Sequence, residues 1–503
     1  MKVCFYFNWH LSPFLHALAV RLKGMAPSWQ FCGLVTQADY YRFLSGQKEL
    51  QYSELASLQE PYRDFPMQEI DLNYLQKAEA KYGSPNLWPM VYADRWLLPL
   101  YHKHKTYSHE EYLWLFQSYF KFIEAFLDNQ KPDAIVFDGV AALPSYVLYA
   151  IAKARGIPTV IFTPARIGDY TAFSDDTFEG MNDALALFSA IRSGKKKARM
   201  KAGAREFLAQ FRGKYDRDAS NQYFSAYKVA ASHFFSPGAY AARAARTLDY
   251  LYQYNFGDYR HDYSYAGKSL FRNAVDQASQ QVRSRAISRM GVFEKPVQGE
   301  DYVFFPLHVE PELAIQVLAP MYMNQVALIE NLAKSLPIGF RLYVKDHPAM
   351  KEGGFRSADF YNRIRQLPAV RLIEPAVPAY SMISGARLVA TITGTAGLEA
   401  AFLKKPVISF GRVFFNALSG VKKCENPDLL PQMVADSIRS HRHNEEELED
   451  FVSAIMESSF RSQFIHISGW SYPVPYEKVA SHPDMETISK AAFEKLKRSA
   501  GKG

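Results

Sequence analysis

Three cysteines in 503 residues, Cys4, Cys32 and Cys424, are too few and too scattered for a disulfide framework or a zinc site, and they suit a reducing compartment. The chain never runs for about 18 uncharged apolar residues, which excludes an ordinary transmembrane helix. Its opening MKVCFYFNWH lacks a charged start, a long apolar run and a small-residue cleavage site, so no signal peptide is expected. No repeat appears at solenoid periods, and no nucleic-acid motif accompanies the basic residues. The histidines and the pair Asp175-Asp176 lack zinc-ligand spacing, and no Asp-x-Asp ends a strand-like run. The expectation is a cytoplasmic protein with no metal, no other cofactor and no nucleic-acid partner.

What is present describes an ordinary folded chain: 48% hydrophobic, 22% charged and 15% aromatic. Its length exceeds one compact core, so two major domains are the default. The net charge of +8 favours acidic partners such as nucleotides, phosphorylated glycans or an anionic membrane face. Strand-like runs alternate with helical ones near the start: MKVCFYF, HLSPFLHALAVRLKG, WQFCGLVT, then KPDAIVFDG, PSYVLYAIAKARG and IPTVIFTP. Alternation of this kind builds a parallel sheet with crossover helices. It returns after 299 with DYVFFPLH, FRLYVKDHP, VRLIEP, RLVATITG and PVISFG, separated by helical stretches. The predicted class is α/β, with two Rossmann-like domains at 1–175 and 299–430, facing a cleft, and a helical tail at 431–503.

Between them, 176–298 has no convincing strand and carries roughly twice as many basic as acidic residues. Lys195, Lys196, Lys197, Arg199, Lys201 and Arg205 form its densest part. Aromatics are interleaved: Tyr215, Tyr223, Phe224, Tyr227, Phe234, Phe235, Tyr250, Tyr252 and Tyr254. Two readings stand side by side, a helical bundle with a solvated basic face and a surface that docks on anionic lipid or an acidic glycan.

Ligands of open parallel sheets sit beyond the carboxyl ends of the strands, so the polar residues there matter most. In the later domain these are His308; then Lys345, Asp346 and His347; then Thr393, Gly394 and Thr395. In TITGTAGLEAAF a strand ends in small residues and a helix opens at once. Backbone N–H groups there can approach an anion, and the helix dipole adds partial positive charge. Glu399, about one turn in, is within reach of a ribose diol; alternatively Thr395 caps the helix and Glu399 complements its dipole. In VKDHP, Pro348 stops the strand and biases His347 toward an extended backbone. His347 either donates to a phosphate or is an ordinary loop residue.

The order strand–His-Pro, strand–Thr-Gly-Thr-Ala-Gly–helix with Glu399, then KKPVISFG resembles the donor domain of GT-B glycosyltransferases. More closely, it is similar to the bacterial capsule polysaccharide synthesis family, with its Kdo transferases, and to bacterial sialyltransferases. The resemblance covers roughly 300–415. It implies that His347 and Pro348, with Thr393 and Thr395, hold a CMP-linked sugar, that Glu399 holds the ribose, and that FPLHVEPE with His308, Glu310 and Glu312 opens the donor domain. Such families also place an acidic pair before glycine in the first domain. Here Phe137 replaces the first acid, leaving Asp138 before Gly139 as general base, as nucleophile, or as a brace for its loop. His10 is a second candidate, and Asp94, Arg95 and Arg166 are fainter ones. The implied activity is transfer of a sugar from a nucleotide donor, CMP-Kdo or CMP-sialic acid foremost, to a surface polysaccharide or lipid-linked glycan. The implied setting is peripheral, on the inner face of the cytoplasmic membrane. A CDP-glycerol glycerophosphotransferase, a sugar-nucleotide epimerase and a non-catalytic capsule-assembly scaffold are the alternatives.

Overall fold

The computed structural model describes residues 1–63, 69–83, 86–98, 105–178, 180–213, 248, 251–253, 256–257, 262, 270–352, 354–469 and 473–501. The first sheet contains β1 (Lys2–Phe7), β2 (Gln30–Val35), β3 (Leu55–Ser57), β4 (Ala134–Phe137), β5 (Thr159–Pro164) and β6 (Tyr170–Ser174), in the order β6-β5-β4-β1-β2-β3. Strands β1 to β5 pair in parallel, and β6 turns back antiparallel on β5. The second sheet contains β7 (Tyr302–Pro306), β8 (Arg341–Lys345), β9 (Val370–Ile373), β10 (Leu388–Thr391), β11 (Val407–Ser409) and β12 (Val421–Lys423), all parallel, in the order β12-β11-β10-β7-β8-β9. A short β13 (Phe460–Arg461) closes the first sheet, antiparallel on β6.

The inner strands read as unbroken buried and almost wholly apolar runs, VCFYF, AIVF, YVFF and LVAT, because crossover helices cover both of their faces. The α/β class with two Rossmann-like sheets stands as expected. Strands β3, β12 and β13 lie at sheet edges and β6 turns back beside β13; they escape a sequence reading because each draws its place from a neighbouring strand.

Both sheets share one topological feature. The chain leaves β1 toward β2 and β3 on one side and returns to β4 on the other; it leaves β7 toward β8 and β9 and returns to β10. Each sheet therefore has a switch point at the carboxyl ends, between β1 and β4 and between β7 and β10, where the connections diverge and leave a crevice.

The chain divides into two compact units, 1–184 with 215–268 and 455–503, and 185–214 with 269–454. The expected tail at 431–503 is thus split. Its last part packs on the first unit through aromatic contacts: Phe464 stacks on Phe162 at 4.7 Å, and Phe493 on Trp29 at 5.1 Å. Charge patterning hides such contacts, because they depend on which apolar faces meet.

The described parts of 176–298 are mainly helical, at Asn182–Arg192, Lys201–Arg212 and Leu270–Arg289. Much of the basic cluster is committed within its own unit. Lys201 reaches Asp450 at 2.9 Å, Arg205 reaches Glu449 at 2.9 Å, and Arg192 reaches Asp450 at 3.0 Å, all on the acidic helix Glu445–Glu457. Arg212 pairs with Glu445 on the same helix at 2.5 Å. Lys195, Lys196 and Lys197 are exposed. Of the interleaved aromatics, Tyr252 is exposed, and the other eight lie outside the described residues. No helix among the described residues is long and apolar enough to cross a membrane.

Candidate functional site

The second sheet assembles its polar residues at the β7/β10 switch point. The loop after β7 carries His308, and the turn after β10 carries Thr393, whose backbone N–H donates to His308 Nε2 at 3.1 Å. An imidazole nitrogen that accepts is unprotonated, so the proton of neutral His308 lies on Nδ1. Gly394 follows as the N-cap of the helix Thr395–Phe402, and its own N–H is taken by Thr391 Oγ1 at 3.0 Å. A Cβ on Gly394 would lie 2.9 Å from Thr391 Oγ1 and 3.1 Å from His308 Nε2, so glycine here permits the close approach of strand end and imidazole. By helix geometry the amides of Thr395 and Ala396 have no acceptor inside the helix, and they form its positive end.

The hydroxyls divide their roles. Thr393 Oγ1 donates back to the Ala314 carbonyl at 2.5 Å, whereas Thr395, the first helical residue, is partly exposed. Glu399 sits in the second turn of the same helix and is buried, 6% exposed. The sequence alternative that made Thr395 the cap is replaced by Gly394 at that position with Thr391 beneath it.

A second loop, after β8, is joined to the first by a residue the sequence reading missed. Arg356 is 4% exposed, donates Nη2 to the His308 carbonyl at 2.6 Å, and places Nε 3.1 Å from Asp346 Oδ2 and Nη1 3.5 Å from Glu310. Its guanidinium lies over the Phe360 ring at 4.4 Å. Asp346 also accepts from the Tyr361 hydroxyl at 2.6 Å and from the His347 amide at 2.8 Å. Gln325 accepts from the His308 amide at 2.8 Å and donates to Glu310. His308 and the His347 backbone are therefore held by one buried network with Arg356 at its centre. Lys345, the last residue of β8, is buried and accepts the Leu307 amide on its carbonyl at 2.9 Å. His347 is partly exposed just beyond, and Pro348 starts a short helix, Pro348–Glu352. No signal in the sequence marks Arg356, because its partners lie 10 to 48 positions away and only the fold brings them together.

The first sheet does the same with different chemistry. Asp138 directly follows β4, is 5% exposed, and accepts from Asn8 Nδ2, just after β1, at 2.9 Å. Burial pushes its carboxyl up to about 7, against the Asn8 amide and the backbone N–H groups of Asp138 and Gly139, which pull it down. His10 belongs to a single 3₁₀ turn after β1, and its Nδ1 meets the Tyr40 hydroxyl at 2.7 Å. Asp94 takes a structural position: it accepts the Leu143 amide at 2.9 Å and the Trp96 amide at 2.8 Å, fastening the start of the helix Leu143–Ala154. Arg95 and Arg166 are exposed. Among the described residues no group of three or more metal-ligating side chains forms.

Residues 217–429 match the family described as capsule polysaccharide biosynthesis protein. The matched segment includes the whole β7/β10 switch point and the Arg356 network, and the family is the one the sequence motifs resemble. Comparison with curated proteins finds no match. Among solved structures, the chain is similar to the beta Kdo 2,4 transferase KpsC of Thermosulfurimonas dismutans at 13% identity, covering 64% of this chain and 79% of that one with a TM-score of 0.35. The beta Kdo 2,7 transferase KpsC of the same organism gives 12% identity, 76% and 91% coverage and a TM-score of 0.36. UDP-GlcNAc 2-epimerase of Neisseria meningitidis gives 11% identity, 98% and 100% coverage and a TM-score of 0.28.

Proposed function

We propose that this chain is a glycosyltransferase of capsule polysaccharide biosynthesis that holds a nucleotide-activated sugar at the β7/β10 switch point. The observation that carries the reading is the contact of the Thr393 N–H with His308 Nε2 across the two diverging strands, directly before a glycine-capped helix start. The arrangement suits a pyrophosphate or phosphate group: the amides of Thr395 and Ala396 and the helix dipole supply positive potential, and the Thr395 hydroxyl adds a donor. Glu399 is the residue for the ribose diol, and His347 with Lys345 the side chains for the leaving phosphate. CMP-linked sugars such as CMP-Kdo or CMP-sialic acid are the donor class, on the resemblance of the His347-Pro348 and Thr393-to-Thr395 motifs. Charge on the leaving group would be balanced by these residues without a metal.

In the first unit, Asp138 is the general base toward an acceptor hydroxyl of a growing glycan or lipid-linked glycan. A carboxyl pushed to about 7 is matched to proton transfer at neutral pH. His10 stands at the neighbouring strand end as the second candidate for this role. The exposed Lys195, Lys196 and Lys197 are the part of the basic segment available to an anionic membrane face on the cytoplasmic side.

Thermal denaturation with CMP, CDP, UDP and GDP tests the donor site. Stabilisation by a cytidine nucleotide is the expected outcome, about 2.7 kcal/mol at a hundredfold excess over Kd. Failure of all four nucleotides to stabilise the protein would overturn the enzymatic reading and leave a scaffold role.

A further inference from the structure

At the carboxyl edge of the first sheet, beside Asp138, two tryptophans form a feature that the chemistry above does not use. Trp9 follows Asn8, the residue that holds Asp138, and stacks on Trp96 with ring centroids 6.1 Å apart and planes 7° from parallel. Trp96 follows closely on Asp94, which ties this loop to the start of the helix after Asp138. Both indoles are partly exposed. Trp9 has φ 43°, in the left-handed region that bulky side chains avoid, so the fold holds the indole there at a cost in backbone energy. The Trp9 backbone N–H donates to Thr36 Oγ1 at 3.3 Å, and the next residue, His10, meets both Trp9, edge to face at 5.8 Å, and Tyr40.

Flat aromatic surface next to a cluster of short hydrogen-bonding groups has a specific counterpart in chemistry. A pyranose ring presents an apolar face of C–H groups, which packs on an electron-rich ring face, and a rim of hydroxyls, which needs donors and acceptors. Asn8, Asp138, His10 and Tyr40 provide that rim partner, and Trp9 and Trp96 provide the flat surface. A nucleotide base also stacks on aromatics, but the anion-binding helix start that a nucleotide needs lies in the other unit.

We propose that the Trp9–Trp96 pair is a saccharide-binding platform that holds a sugar ring of the acceptor glycan with a hydroxyl toward Asp138. This rests on the glycosyltransferase reading for the word acceptor, while binding of a sugar ring at the pair stands by itself. Trp9 would be held in its left-handed conformation to present its ring to the sugar.

The test is saturation-transfer NMR on the full-length protein with methyl glycosides of glucose, galactose, N-acetylglucosamine, ribose and Kdo as probes, in wild type, Trp96→Ala and Trp9→Gly. At least one glycoside should bind the wild type, with transfer strongest to protons of one ring face. Each variant should weaken that binding about tenfold or abolish it. Trp9→Gly removes the disfavoured conformation, so it should keep or raise the melting temperature while losing the sugar, an outcome that a merely structural tryptophan would not give. Nucleotide stabilisation in both variants should match the wild type. Wild-type binding of none of the probes, or equal binding in both variants, would overturn the proposal. Absence of nucleotide stabilisation in the wild type would instead remove the parent reading and leave the sugar result to be judged alone.

Discussion

At the switch point of the first sheet a buried carboxylate, Asp138, faces a neutral amide, Asn8; at that of the second, a neutral imidazole, His308, faces a backbone N–H, Thr393. The topology is the same, and the electrostatics are opposite. Burial outweighs the hydrogen bonds that Asp138 accepts, and its proton is retained up to about pH 7. In the second sheet buried Asp346 and half-buried Glu310 meet the guanidinium of Arg356 within 3.5 Å. One edge thus keeps a titratable proton ready, and the other spends its charges internally to hold a rigid frame. The same fold can supply a base in one unit and a binding frame in the other because the strand ends, unlike the strands, carry no packing constraint.

The largest effect expected from breaking this contrast comes at Asp138. Asp138→Asn keeps an acceptor for Asn8 but removes the base, so turnover should fall by about 10²–10⁴-fold with nucleotide affinity unchanged, as read by steady-state kinetics and calorimetry. Turnover within a few-fold of wild type would remove Asp138 from the chemistry.

Arg356→Met comes next. It leaves buried Asp346 and half-buried Glu310 without their cation, and a loss of about 3–5 kcal/mol in denaturant unfolding is expected, chiefly from Asp346. Arg356→Lys should recover part of that stability, yet bind nucleotide more weakly than wild type, since one ammonium cannot span the His308 carbonyl and both carboxylates. Unchanged nucleotide affinity in Arg356→Lys would show that the frame does not position the site.

A third measurement concerns pH. Folded Asp138 holds its proton to about pH 7, whereas the unfolded carboxyl releases its own near 4. The folded state therefore binds more protons between those values. This contribution to stability is fully present below about pH 4 and is lost as pH rises through 7, by at most roughly 4 kcal/mol. Asp138→Asn should flatten that slope and be the more stable protein at pH 8, as followed by urea unfolding at several pH values. An identical slope in the variant would mean that burial does not hold the proton.

The smallest effect is expected at Gly394. A methyl group there meets Thr391 Oγ1 and His308 Nε2, so Gly394→Ala should cost about 1–3 kcal/mol of stability and reduce the thermal shift given by the stabilising nucleotide. An undiminished shift would separate the helix start from the nucleotide.

Much of the strand-end cluster proposed as the second sheet's site was legible as a candidate. His308, His347, Thr393, Gly394 and Glu399 were readable because strand ends followed by small residues and a helix are a local pattern, set by residues a few positions apart. Arg356 was not, since it lies in a loop with no motif and acts on residues from two other strand ends. Asn8 and the Trp9–Trp96 pair were missed for the same reason: the tryptophans are 87 positions apart, and a left-handed backbone at a tryptophan has no signature in residue type. The basic segment misled in part. Its charge count suggested a surface, whereas Lys201, Arg205 and Arg212 face an acidic helix more than 230 positions later.

By itself, then, the sequence determined the α/β class, the central strands and the polar residues that end them, because hydrophobic periodicity and strand-end chemistry act over neighbouring residues. The tertiary structure decided which strand ends adjoin, which charges are cancelled and which carboxyl keeps its proton. Those outcomes depend on burial and on partners that come near one another only when the chain has folded.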